Sequence, residues 1–117
     1  MNLATERVVL LAPTVTTASG VTPSINLSRY MESTLMIDVT AITGVGANVV
    51  VSHQYSHDNV EWYLAPVAED LTGITGVTHL AVCLANKAAS WYRTAFTLTG
   101  TTPQMTLEFV LTGKVYT

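Results

Sequence analysis

The sequence predicts an all-β protein, an antiparallel β-sandwich of jelly-roll or Greek-key type with about seven or eight strands. Three observations carry this. Apolar and polar residues alternate with period two in several stretches, as in Leu35, Ile37, Val39 against Met36, Asp38, Thr40. Turn-forming residues punctuate the chain at intervals of roughly ten residues. No segment keeps a helical period over three turns.

Arg7–Ala12 is a short apolar strand stopped by Pro13, and Thr14–Ser24 is rich in Thr, Ser, Gly and Pro and reads as extended or looped. Residues 1–24 are therefore an extended N-terminal segment with one short strand. Val8, Val9, Leu10 and Leu11 are its candidates for an arm that reaches a neighbouring subunit. Residues 25–117 form the sandwich domain, with Ser24–Leu27 as a short strand and Arg29–Glu32 as a turn. Ser33–Ile42 alternates, with Leu35, Ile37, Val39 and Ala41 on one face. Thr43-Gly44-Val45-Gly46 reads as a turn into a hairpin whose first strand places Val49, Val51, His53 and Tyr55 on one face.

The hairpin turn is Ser56-His57-Asp58-Asn59, residues that bond their own backbone and tolerate left-handed torsions. Asp58 is expected to accept backbone N–H bonds across it. Asp58, Asn59 and Trp62 are the structural core of the hairpin, setting its register, and Val60–Leu64 is its return strand. Ala65–Thr78 is a loop with room for one helical turn near Val67–Leu71. Val77–Leu84, nearly all apolar, reads as a central strand with Cys83 buried in it. Asn86–Ala89 is a polar turn. Ser90–Thr99 is a strand with Trp91, Arg93 and Ala95 opposite Tyr92, Phe96 and Leu98. Gly100–Pro103 reads as a turn into Gln104–Thr112, where Met105, Leu107, Phe109 and Leu111 share a face. Val39–Gly44 and Ala95–Gly100 echo one another, each a strand running into Thr-Gly.

Composition narrows function. The chain has 117 residues, one domain's worth, of which 49% are hydrophobic and only 11% charged, against an ordinary charged share of about 25%. Mean hydropathy is +0.38. A small monomer covers its large relative surface with charge; a chain that does not is expected to live in an assembly, as a homo-oligomer such as a trimer. The net charge is −3, and Arg7, Arg29, Lys87, Arg93 and Lys114 form no cluster, so nucleic acid is not an expected partner. The longest apolar runs fall far short of the roughly 20 residues of a membrane-spanning helix, and no membrane partner is expected. The N-terminus lacks the basic region of a signal peptide, and the lone Cys83 excludes an intrachain disulfide framework, so synthesis in a cytoplasm is expected.

No reactive constellation emerges. His53 and His57, four apart on a strand, lie some 13 Å apart, too far to share a metal. Ser56-His57-Asp58 spells a triad in adjacent positions, which cannot converge as a triad must. Asp58, Glu61, Glu69 and Asp70 are the acids nearest the hairpin, open to acid–base work on a sugar or to a plain solvated loop, while Asp58-Asn59-Val60-Glu61 lacks the donor pattern of a calcium loop. There is no serine elbow and no glycine-rich phosphate loop. The expectation is a non-enzymatic chain with no cofactor and no metal. Trp62, Tyr63 and Trp91 are the residues for an alternative reading, a sugar-stacking platform.

Ser56-His57-Asp58-Asn59-Val60-Glu61-Trp62, followed later by Trp91-Tyr92-Arg93 and Thr99-Gly100-Thr101-Thr102-Pro103, resembles small β-sandwich virion structural proteins of tailed bacteriophages. In those, a Ser-x-Asp-Gly-x-x-Trp hairpin and a late Thr-Gly-Thr-(Ser/Thr)-Pro segment recur. The likeness spans Ser33–Gly113, with Asn59 where glycine is usual. It implies a capsid decoration or cement protein on the outside of the head, with the major capsid protein as partner and the virion surface as location. Its alternative is a carbohydrate-binding or tail-fibre-associated module.

Overall fold

Strand-forming residues make two very long strands here. The structure, a computed structural model, describes residues 3–84 and 89–116. Its strands are β1 (Leu3–Thr16), β2 (Gly20–Val21), β3 (Ile25–Asn26), β4 (Glu32–Ser56), β5 (Tyr63–Leu64), β6 (Leu71–Ile74), β7 (Thr78–Cys83) and β8 (Trp91–Tyr116). A 3₁₀ turn covers Val67–Glu69, inside the loop expected to hold one helical turn. All eight strands pair antiparallel in one sheet, the all-β class and strand number that the alternation predicts.

β4 pairs with β8 from end to end of β4, from Glu32 opposite Lys114 to Ser56 opposite Trp91, with register shifts at the bend. A straight 26-residue strand would extend roughly 86 Å at about 3.3 Å per residue, yet the longest dimension of the molecule is 50 Å. The ribbon folds back on itself. Phe96 and Phe109, far apart along β8, meet ring to ring with centroids 5.8 Å apart. One sheet thus supplies both layers of the sandwich. The first layer runs β1, second half of β8, first half of β4, β7. The second joins β2 and β3 through the first half of β8 to the second half of β4, then β5 and β6.

The bend sits where the sequence suggested two hairpin turns. Thr43–Gly46 and Gly100–Pro103 are not turns; both lie inside the long strands and face each other, Val45 opposite Thr101. Gly44 (φ +107°) and Gly100 (φ +123°) are 56 positions apart, as are Gly46 (φ +64°) and Thr102 (φ +44°). A Cβ on Gly44 would come within 2.7 Å of the Thr102 carbonyl and 2.9 Å of Pro103; a Cβ on Gly100 would come within 2.9 Å of the Gly46 carbonyl and 3.0 Å of Ala47. The contacts exchange under the same offset. The Thr-Gly echo is therefore the mark of a local two-fold across the ribbon, with each glycine admitting the backbone of the other strand.

Register shifts around the bend keep the apolar face inside. Leu35, Ile37, Val39, Val49, Val51, His53 and Tyr55 from β4 are buried, as are Tyr92, Phe96, Leu98, Met105, Leu107, Phe109 and Leu111 from β8. The facing of each run follows its alternation. Ala41 is the exception: a shift between Val39 and Ala41 turns it outward, and it is exposed. β7 also departs from expectation. Among the described residues it pairs only with β4, at the edge of its layer, and its residues alternate between half-buried and exposed, leaving Cys83 exposed. The polar turn expected at 86–89 lies, Ala89 apart, outside the described residues.

Candidate functional site

The hairpin that opens after β4 gathers the residues singled out in the sequence. Ser56 Oγ donates to Asp58 Oδ1 at 3.0 Å and accepts from the Asn59 N–H at 2.9 Å. Asp58 Oδ1 also accepts the N–H groups of Val60 at 2.9 Å and Glu61 at 3.0 Å. This is the expected turn, with Asn59 at φ +62° where a glycine would be at ease. The Glu61 and Val60 amides and the Ser56 hydroxyl hold the Asp58 carboxyl down to about 2. The Oδ1 oxygen of the carboxylate thus caps the backbone of the turn.

The return strand is shorter than expected, only Tyr63–Leu64, pairing Tyr63 with Tyr55 and Leu64 with Gln54. Trp62 receives the Arg93 guanidinium over its ring at 4.3 Å, and Arg93 Nε donates to Gln54 Oε1 at 2.6 Å. Tyr63 stacks on His57 at 6.1 Å. Trp91 stands at the end of β8 opposite Ser56 and Asn26. The three aromatics of the alternative sugar platform are thus divided: Trp62 and Tyr63 each have a ring face taken by a different neighbour within the chain. Val60, Tyr63, Leu64 and Val67 are exposed around this corner.

Behind the hairpin lies a buried polar chain that spacing alone does not reveal. His53 is 2% exposed. Its Nδ1 is 2.7 Å from the Tyr92 hydroxyl, which is 2.8 Å from Thr94 Oγ1. The Thr94 N–H donates to Thr22 Oγ1 at 3.0 Å, and the Thr22 N–H returns a bond to the Thr94 carbonyl at 2.9 Å. Burial lowers the His53 pKa against the smaller opposing pull of Glu69 and Asp70, and burial raises that of Tyr92. The chain ties Thr22, just after β2, to the first half of β8, and all four of its residues are buried.

The other histidines are separated. His57 is on the exposed turn, and His79 pairs with Asp38 at 2.6 Å on the outer face of the first layer. Among the described residues no three His, Cys, Asp or Glu side chains come together as metal ligands. A hollow of about 220 Å³ lies along β6 and the turn that leads from it into β7, against Leu80, and is lined by no titratable side chain. A smaller one, about 80 Å³, lies between Thr5, Glu32, Thr34 and Lys114. Among the described residues no helix is long and apolar enough to cross a membrane. The candidate arm residues Val8, Val9 and Leu11 are paired with Leu111, Val110 and Phe109 of their own β8, and Leu10 is buried.

The molecule is thus defined as an all-β protein whose two layers are one folded ribbon. No family model matches the chain, and no curated protein matches it in sequence. Among solved structures it is similar to the crystal structure of the SPBc2 prophage-derived protein YomS, with a TM-score of 0.54 over 97% of this chain and 96% of that one. Sequence identity is 10%, so the likeness is one of fold.

Proposed function

We propose that this chain is a non-enzymatic structural protein of a bacteriophage virion, which decorates the outside of the capsid and links neighbouring major capsid subunits. The observation that carries the reading is the end-to-end likeness of fold to a prophage-derived protein. It agrees with the Ser-x-Asp-Asn-x-x-Trp hairpin and the late Thr-Gly-Thr-Thr-Pro segment. Two further features support it. Charge is scarce over the whole chain, and Val60, Tyr63, Leu64 and Val67 leave an apolar corner uncovered beside the hairpin. In this reading that corner meets the shell, and many weakly bound copies on one lattice sum to firm attachment.

Purified particles from the source test it. The chain is expected on intact heads, in a fixed ratio to the major capsid protein. A Leu64→Asp, Val67→Asp double variant, altering only exposed positions, is expected to fold and to lose occupancy. Absence of the chain from purified particles overturns the reading, and undiminished occupancy of the variant overturns the choice of corner.

A further inference from the structure

We propose that β1 is a self-pairing edge: two copies of this chain join antiparallel along Leu3–Val9, around a two-fold axis at Glu6. Each four-stranded first layer then continues into one eight-stranded sheet. Among the described residues β1 pairs only with β8, so its other side presents a row of free backbone donors and acceptors. Natural edges of this length are blunted by bulges, proline or lysine. β1 is blunted only in its second half, where two register shifts fall between Val9 and Thr14 and Pro13 interrupts the donors. Leu3–Val9 runs straight, opposite Tyr116–Val110 without a shift, and contains no lysine and no proline.

The residues of that run select the partner. Facing residues in an antiparallel pair lie on the same side of the sheet. A two-fold at Arg7 would set guanidinium against guanidinium. One at Thr5 would shorten the pairing and set Leu3 against Arg7. A two-fold at Glu6 uses all seven residues. It places Leu3 opposite Val9 of the second copy, Thr5 opposite Arg7 and Ala4 opposite Val8. Leu3 and Val9 are 56% and 46% exposed, the large apolar side chains that this half of the edge leaves in water. Val9 also ends an outward apolar row that runs Ala81, Met36, Val110, Val9 across the layer, and Leu3 of the second copy would continue it. At the axis the two Glu6 carboxylates approach, but each carries its own cation: Glu6 is ion-paired with Arg29 and accepts from the Tyr30 hydroxyl at 3.1 Å. Arg29 is 61% exposed, so two acids and two guanidinium groups meet in an alternating set. The partner the edge fits is thus a second copy of itself.

Sedimentation velocity on the isolated full chain tests this without particles, so its outcome is separate from that of the shell reading. The wild type is expected to dimerise reversibly in the micromolar range. Leu3→Lys, Val9→Lys should be monomeric there with an unchanged far-ultraviolet dichroism spectrum. Thr5→Glu, placed against Arg7 of the second copy, should tighten the dimer about fivefold, and Thr5→Lys should loosen it by as much. A wild type that stays monomeric at about ten times that concentration overturns the proposal. So does a dimer that survives the double substitution, or Thr5→Glu and Thr5→Lys acting in the same direction.

Discussion

Phe96 and Phe109 sit thirteen positions apart on one strand and yet touch, their ring centroids 5.8 Å from each other across the core. A straight strand would hold them roughly 43 Å apart. Their contact is the measure of the fold in β8, and it makes the ribbon bend a condition of the core.

Phe109→Ala should therefore cost more than an ordinary truncation at a sheet surface. Phe109 is fully buried and takes the Phe96 ring from the other layer. A loss of ~3–5 kcal/mol is expected in urea denaturation, with Phe96→Ala at or below the low end because its ring lies nearer the rim.

The bend itself predicts an order of effects. Gly44→Ala and Gly100→Ala combine positive φ with a Cβ pressed against the opposite backbone, and each should destabilise by ~2–3 kcal/mol. Gly46→Ala sits at φ +64°, inside the left-handed basin, with open space around it, so only about 1 kcal/mol is expected. Equal losses at all three would overturn this order.

Thr102 stands where the local two-fold has Gly46 on the other strand, a β-branched residue at φ +44°. Thr102→Asn, a residue more tolerant of that torsion, should raise stability by ~0.5–1 kcal/mol and shift the thermal midpoint upward.

Two acid transitions should separate by mutation. Burial lowers the His53 pKa below its ordinary 6.5. The unfolded chain then binds a proton that the folded chain refuses, so stability is complete above 6.5 and falls as pH drops below it. His53→Gln should flatten that slope while keeping a partner for the Tyr92 hydroxyl. Asp58 is depressed from 3.8 to about 2, so its contribution is present above 3.8 and disappears as pH falls toward 2. Asp58→Asn should remove the lower slope alone. Denaturation midpoints collected across pH for the three chains check both.

Much of the fold was legible because burial follows alternation. Each core run of β4 and β8 faces inward as its apolar period requires, from Leu35 to Val39 and from Met105 to Leu111. The bend was misread for a local reason. A Thr-Gly pair at a strand end looks the same whether the chain reverses there or passes a bulge, and only the glycine on the facing strand decides. β7 was misplaced because apolar content reports burial of side chains, whereas edge position depends on which backbone lies alongside. The hairpin turn was legible to the atom, since Asp58 bonds within three residues. The His53–Tyr92–Thr94 chain was not, because its partners come from strands 39 positions apart.

The pairing of β4 with β8 also sets the order of events during synthesis. All 25 residues of β4 are translated before Trp91, the first residue of their long partner. Until then β4 carries an apolar face and an unpaired backbone with only β5, β6 and β7 to lean on. Neither layer can close early, because each needs half of β8. The nascent chain should therefore stay open to holding chaperones until late, and then fold both layers in one slow step governed by distant contacts.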